Sequence, residues 1–286
     1  KAPGASPPPA GPDASVPQPA LGRRMTVALL AVSLLTGLSS FVYEMVWIRM
    51  LSMVLGSATH SFEIMLASFI LGLALGGWWI RTRIDAVRSA LPVLAGVQVA
   101  MGLMALTTLP LYNHTFDAMA WLLSAVTRTE QGYLLFNLAQ VAIALVVMLP
   151  TTFCAGMTLP LITVHLFRHG SGERAIGQVY AANTVGAIAG VLLAIHVLLP
   201  LAGLQAALGT GAAVDIGLGL WLLRRRADVP GRLVPALRVA ALAATGVVIG
   251  APWLADFGPM RMGSSVFRHG RAVMTDGQLL YAGDGK

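Results

Sequence analysis

The sequence is short of charge and nearly devoid of cysteine. Only 11% of its 286 residues are Asp, Glu, Lys or Arg, against about a quarter in an ordinary globular chain. The lone cysteine, Cys154, excludes an intrachain disulfide framework and a cysteine metal cluster. No phosphate loop, zinc-ligand spacing or nucleophile elbow occurs. The Gly-rich stretches lie inside apolar runs with no strand before them, so they are not nucleotide loops. On these grounds no catalytic residue, cofactor or metal is assigned. A net charge of +7 could suggest nucleic acid. The arginines, however, sit beside apolar runs rather than on one basic face, which is the pattern of membrane-orientation signals.

What the chain does have is apolar length. Hydrophobic residues make up 56% of it, and runs near twenty residues recur, enough to cross a bilayer core of about 30 Å. The reading is an all-α integral membrane protein, a bundle of about seven transmembrane helices with the lipid bilayer as its first partner. Residues 1–24 are rich in Pro and Ala and read as a disordered tail. Residues 25–255 form the bundle and 256–286 a polar tail. The spans fall at about Met25–Ile48, Ser61–Ile80, Leu91–Tyr112, Tyr133–Phe167, Val179–Leu199, Ala206–Leu223 and Leu233–Leu254. The fourth is too long for a straight crossing, so a kink near Pro150 or a break near Gly156 and Pro160 is expected. Between spans three and four, Phe116, Met119, Ala120, Leu122 and Leu123 suggest a short helix on the membrane surface. A Pro200–Gly203 turn ends the fifth span. Arginine clusters at 23–24, 81–88, 168–174 and 224–232 fall on alternate connections, which puts the N-terminus and those loops in the cytoplasm.

The stretch Ser39–Trp79 gathers Glu44, Arg49, His60 and Glu63 around one short connection. One reading is a small polar site that binds a cation or polar substrate. The other is mutual neutralisation of Glu44 and Arg49, with His60 and Glu63 touching headgroups or water. Asp215 falls mid-span, and an acid inside the membrane is either a functional site or a carboxyl hydrogen-bonded to a neighbouring helix. His196 reads as a haem or pigment ligand or as a hydrogen-bonded packing residue. His165, His169, Gln98, Asn137, Gln140 and Asn183 read as hydrogen-bonding glue between helices. Gly72 with Gly76, and Gly186 with Gly190, are four apart, a spacing that permits close helix packing.

Several segments resemble a known family. VYEMVWIRML, LGSATHSF and FILGLALGG are similar to the opening of the membrane domain of bacterial fused spermidine synthase-like proteins. CAGMTLPLIT resembles that family's Gly-x-Thr-x-Pro segment, and GQVYAANTVGAIAGVLLAIHVLLPLAGL its Tyr-Ala-Ala-Asn-Thr-x-Gly helix. The likeness covers about residues 26–204. It implies a bacterial inner membrane location and an attached soluble aminopropyltransferase-like domain, of which LLYAGDGK resembles the first strand. The family's nucleotide loop and acidic catalytic residues have no counterpart here, so any such activity would lie in a domain beyond this segment. The resemblance implies an anchoring domain that serves the attached one, with Glu44, Glu63 and Asp215 attracting polyamine ammonium groups. Two other functions fit the residues: a small-solute or polyamine transporter unit, and a structural subunit that packs against other membrane subunits or oligomerises.

Overall fold

A computed structural model describes residues 22–224 except 57, 88, 127 and 128, together with 246 and 259–273 except 265. Among these residues every regular element is helical. Helix α1 spans Arg23–Leu55, α2 Thr59–Arg81, α3 Ala90–Ala125 and α4 Glu130–Arg168. Helix α5 spans Arg174–Leu193, continues through a π-helical turn at Ala194–Leu198, and gives way to α6 at Leu199–Arg224. Two short helices, α7 at Pro259–Met262 and α8 at Val266–His269, follow. Among the described residues five helices are long and apolar enough to cross a membrane, the fifth being the whole of Arg174–Arg224. In hydrocarbon a helix satisfies its own backbone, which is why apolar runs of this length take that form.

The fifth of these helices doubles back. Gly203 sits at φ 79, ψ 176, a conformation that interrupts the helix and that side chains other than glycine's disfavour. Contacts give the directions on either side. Ser33 lies opposite Val179 and Leu38 opposite Gly190, so α5 runs parallel to α1. Tyr43 lies opposite Gly211 and Ser39 opposite Asp215, so α6 runs antiparallel to it. The expected turn at Pro200–Gly203 is thus the point of reversal.

Two parallel pairs, α1 with α5 and α2 with α4, are the closest-packed parts of the bundle, and they touch one another far less. Glycines explain the closeness. A Cβ on Gly186 would lie 1.8 Å from the Leu34 carbonyl oxygen, and one on Gly76 would lie 1.9 Å from that of Phe153. No side chain fits there, so the backbones approach as they do at small-xxx-small seams. Helices α3 and α6 complete the bundle, packed on each other, with α3 also against α4 and α6 against α1.

The connections are tied down by polar groups. Gly56 ends α1 at φ 95, and the α1 carbonyl at Leu55 accepts from both Ser61 Oγ and Gln140 Nε2 at 3.1 Å. At the other end the Arg168 guanidinium donates to the carbonyls of Val87 and Ile84. Arg261 donates to the Asn113 carbonyl at 2.9 Å, so the 259–273 segment packs at the end of the bundle where α1 finishes. Arg224 lies at the opposite end, where α6 runs down beside the start of α3.

Three expectations change. The 113–125 stretch is no separate surface helix but the continuation of α3, because Tyr112, Phe116, Met119 and Leu122 turn one apolar face into the bundle. The break expected near Gly156 and Pro160 does not occur, since helix α4 is unbroken through Pro150 and Pro160. Near the prolines, Thr152 donates to the carbonyls of Met148 and Leu149, and Thr158 to that of Ala155, whereas the carbonyls that lose their usual donor to the two prolines are those of Val146 and Gly156. Helix α1 already includes Arg23 and Arg24, which shortens the proposed tail. The remainder of that tail, the span at Leu233–Leu254 apart from Gly246, and the stretch from 274 onward lie outside the described residues.

A polar seam and an intramembrane cavity

Helix α1 carries two polar regions that meet at Thr36, and they have different fates. On the face toward α3 and α6, Asp215 is wholly buried. Ser39 Oγ donates to its Oδ1 and Tyr43 OH to its Oδ2, both at 2.6 Å. Gly211, one turn before Asp215, leaves the space the Tyr43 ring occupies: a Cβ there would meet Tyr43 Cε1 at 2.6 Å. Tyr43 stacks on Trp47 at 5.5 Å, and Trp47 Nε1 donates to Thr108 Oγ1 at 3.2 Å. Gln98 Nε2 donates to Thr36 Oγ1. The result is a hydrogen-bonded seam that joins three helices and leaves Asp215 closed off.

The acids singled out in sequence do not form one site. Glu63 and His60 stand exposed at the start of α2, 3.9 Å apart. Glu44 is buried, and among the described residues its Oε2 has no hydrogen-bond partner. Arg49 is half-buried further along α1. Asp215 pairs instead with Ser39 and Tyr43. Gly72 and Gly76 lie against α4, and Gly186 and Gly190 against α1. Gln98 and Gln140 do bridge helices. His196 instead sits exposed in the π-helical turn, its Nδ1 3.1 Å from the Leu192 carbonyl of its own helix.

The second polar region is open. Where the α1/α5 pair meets the α2/α4 pair, the helices part around a cavity of about 270 Å³. Its floor is buried and includes Thr36, Ser40, Phe69 and Thr158. Its rim is half-buried or exposed and includes Phe41, Leu159, Tyr180 and Asn183. The cavity lies level with the middle of α1. Among the described residues no Asp, Glu, Lys, Arg or His lines it. Its polar groups are neutral hydroxyls and one amide, set among aromatic and aliphatic walls, the usual makeup of a small-molecule site. Thr158 spends its proton on its own helix, which leaves the oxygen as an acceptor. Thr36 accepts from Gln98, which leaves its proton to donate.

None of the cavity's polar residues except Asn183 drew attention in the sequence, because neutral Ser, Thr and Tyr are unremarkable in apolar helices. One signal was present. Phe69, Leu73 and Gly77 lie in FILGLALGG. Ala155, Gly156, Thr158 and Pro160 lie in CAGMTLPLIT, and Tyr180 and Asn183 in GQVYAANTVG. Segments far apart in sequence therefore meet at one place. No protein-family model matches the chain, and no curated protein and no solved structure matches it.

Proposed function

We propose that this chain is the membrane-embedded domain of a spermidine synthase-like fusion protein of the bacterial inner membrane. Its bundle anchors an attached soluble domain and serves that domain through the intramembrane cavity, with the N-terminus and the arginine-bearing loops cytoplasmic. One observation carries the reading: three of the segments behind the resemblance, on α2, α4 and α5, converge on that cavity. A likeness confined to generic apolar helices would scatter over lipid-facing positions instead.

The cavity also narrows how the domain can serve. An ammonium group at mid-membrane costs roughly 2.5–3.5 kcal/mol on insertion scales, and among the described residues no carboxylate lines the cavity to offset it. A polyamine would rely instead on Glu44 or Glu63. The reading is tested on the native polypeptide purified from membranes. An intact mass well above the 29.9 kDa of this chain, with aminopropyl transfer in the same fraction, is the expected result. A native mass equal to that of this chain, or a longer protein inert with aminopropyl donors, would sink it. The polyamine role of the acids has its own test. Glu44→Gln, Glu63→Gln and Asp215→Asn together are expected to abolish polyamine binding to reconstituted protein, and unchanged binding would remove that role.

A further inference from the structure

The opening of the cavity says where its occupant comes from. The floor residues on α1 and α4 are buried, whereas Tyr180 on the rim is 52% exposed. Tyr180 shares the outer face of α5 with the exposed side chains of Ile176, Ile188 and Leu192. In a protein of this kind such a face meets hydrocarbon, so the cavity opens sideways, at mid-span, into lipid. At about 270 Å³ it falls just below the roughly 300–1,000 Å³ of sites that enclose a drug-sized ligand. That volume has room for a head group or a short chain segment, with the rest of such a molecule left in the bilayer.

The lining fixes the chemistry of that head. With a donor at Thr36, an acceptor at Thr158 and an amide at Asn183, a neutral group that accepts and donates hydrogen bonds is well matched. An ion is not, since it would leave water for hydrocarbon with no counter-charge to meet it. We propose that the cavity is a lateral site for a neutral amphiphile drawn from the bilayer, its hydroxyl or carbonyl head among Thr36, Ser40, Thr158 and Asn183 and its apolar part against Phe41 and Leu159. This deepens the reading of the cavity as the ligand site and does not depend on the attached domain.

Gly77 supplies a variant. A Cβ there would lie 3.5 Å from the Gly156 carbonyl oxygen, an ordinary contact, whereas a Cβ on Gly37 or Gly156 would strike backbone. Gly77→Leu therefore fills the cavity without forcing helices apart. The full chain in phosphatidylcholine nanodiscs is photolabelled with three probes that share one diazirine-bearing alkyl tail: a monoacylglycerol, a benzoquinone and a trimethylammonium. Labelled peptides are then mapped by mass spectrometry. The neutral probes are expected to label peptides that hold residues 36–41, 155–160 and 180–183 about tenfold more than the cationic one, a ratio that corresponds to one or two net hydrogen bonds. An excess of unlabelled neutral probe should displace them, and Gly77→Leu should abolish the labelling. The stronger of the two neutral arms identifies the source as a glycerol-type lipid or a quinone. Equal labelling by the cationic probe overturns the proposal. So does labelling spread evenly over the outer faces of α4 and α5, or labelling that survives in folded Gly77→Leu. If that variant does not fold, displacement on the unaltered chain and its loss in Thr158→Val decide the matter. A native protein no longer than this chain would sink the fusion reading and leave this labelling in place.

Discussion

The two polar regions of α1 differ in one respect that matters for chemistry: one is closed by its own hydrogen bonds and the other is not. The Asp215 seam holds an acid, an aromatic hydroxyl and an indole, yet each carboxylate oxygen already accepts a bond at 2.6 Å. The cavity holds nothing stronger than hydroxyls and an amide, but its polar groups border open space. The difference teaches that the most unusual residue in a membrane helix is not thereby the reactive one. A buried acid with both oxygens partnered acts first as a joint between helices. Neutral small residues that leave a gap mark where another molecule can enter.

That comparison can be broken at several points. The largest effect is expected at the glycine seams that hold the cavity walls. Gly186→Leu drives a side chain into the Leu34 backbone and should abolish the folded bundle, seen as loss of the monodisperse peak in detergent. A folded Gly186→Leu protein would show that the close approach of α1 and α5 is not required. Next comes the closed region. Tyr43→Phe removes one of the two donors to Asp215 and should destabilise by about 1–2 kcal/mol in an SDS unfolding titration, near the upper end for interhelical bonds in membranes. Trp47→Phe, which frees Thr108 Oγ1, should cost about 0.5–1.5 kcal/mol in the same assay. The open region should respond least. Ser40→Ala on the cavity floor is expected to change stability by about 0.5 kcal/mol or less, as for sites outside a closed network. A loss at Ser40 as large as at Tyr43 would erase the distinction between the two regions.

Much of the architecture was legible in the residues. The positions of the helices up to Arg224, the Pro200–Gly203 turn and the interhelical reach of Gln98 and Gln140 follow from apolar length, turn chemistry and polar side chains in apolar runs. Two local signals misled. Polar residues around Asn113 looked like a connection, but Phe116 and Met119 belong to a face that the bundle buries. Prolines looked like breaks in α4, but the helix runs on through both, packed along α2. The site was less legible. Glu44, Arg49, His60, Glu63 and Asp215 stood out by charge, yet among the described residues they share only the His60–Glu63 pairing. Thr36, Ser40, Thr158 and Tyr180 carried no charge to notice.

Composition and apolar periodicity by themselves determined that this chain forms long helices of membrane type, because hydrocarbon admits no backbone that does not bond to itself. Only the tertiary structure decided which helices run side by side, since that choice depends on glycines whose missing side chains count only against a particular neighbour. It also decided that Asp215 is enclosed while Ser40 and Thr158 border a cavity. Enclosure is a property of several helices at once, and no single stretch of residues encodes it.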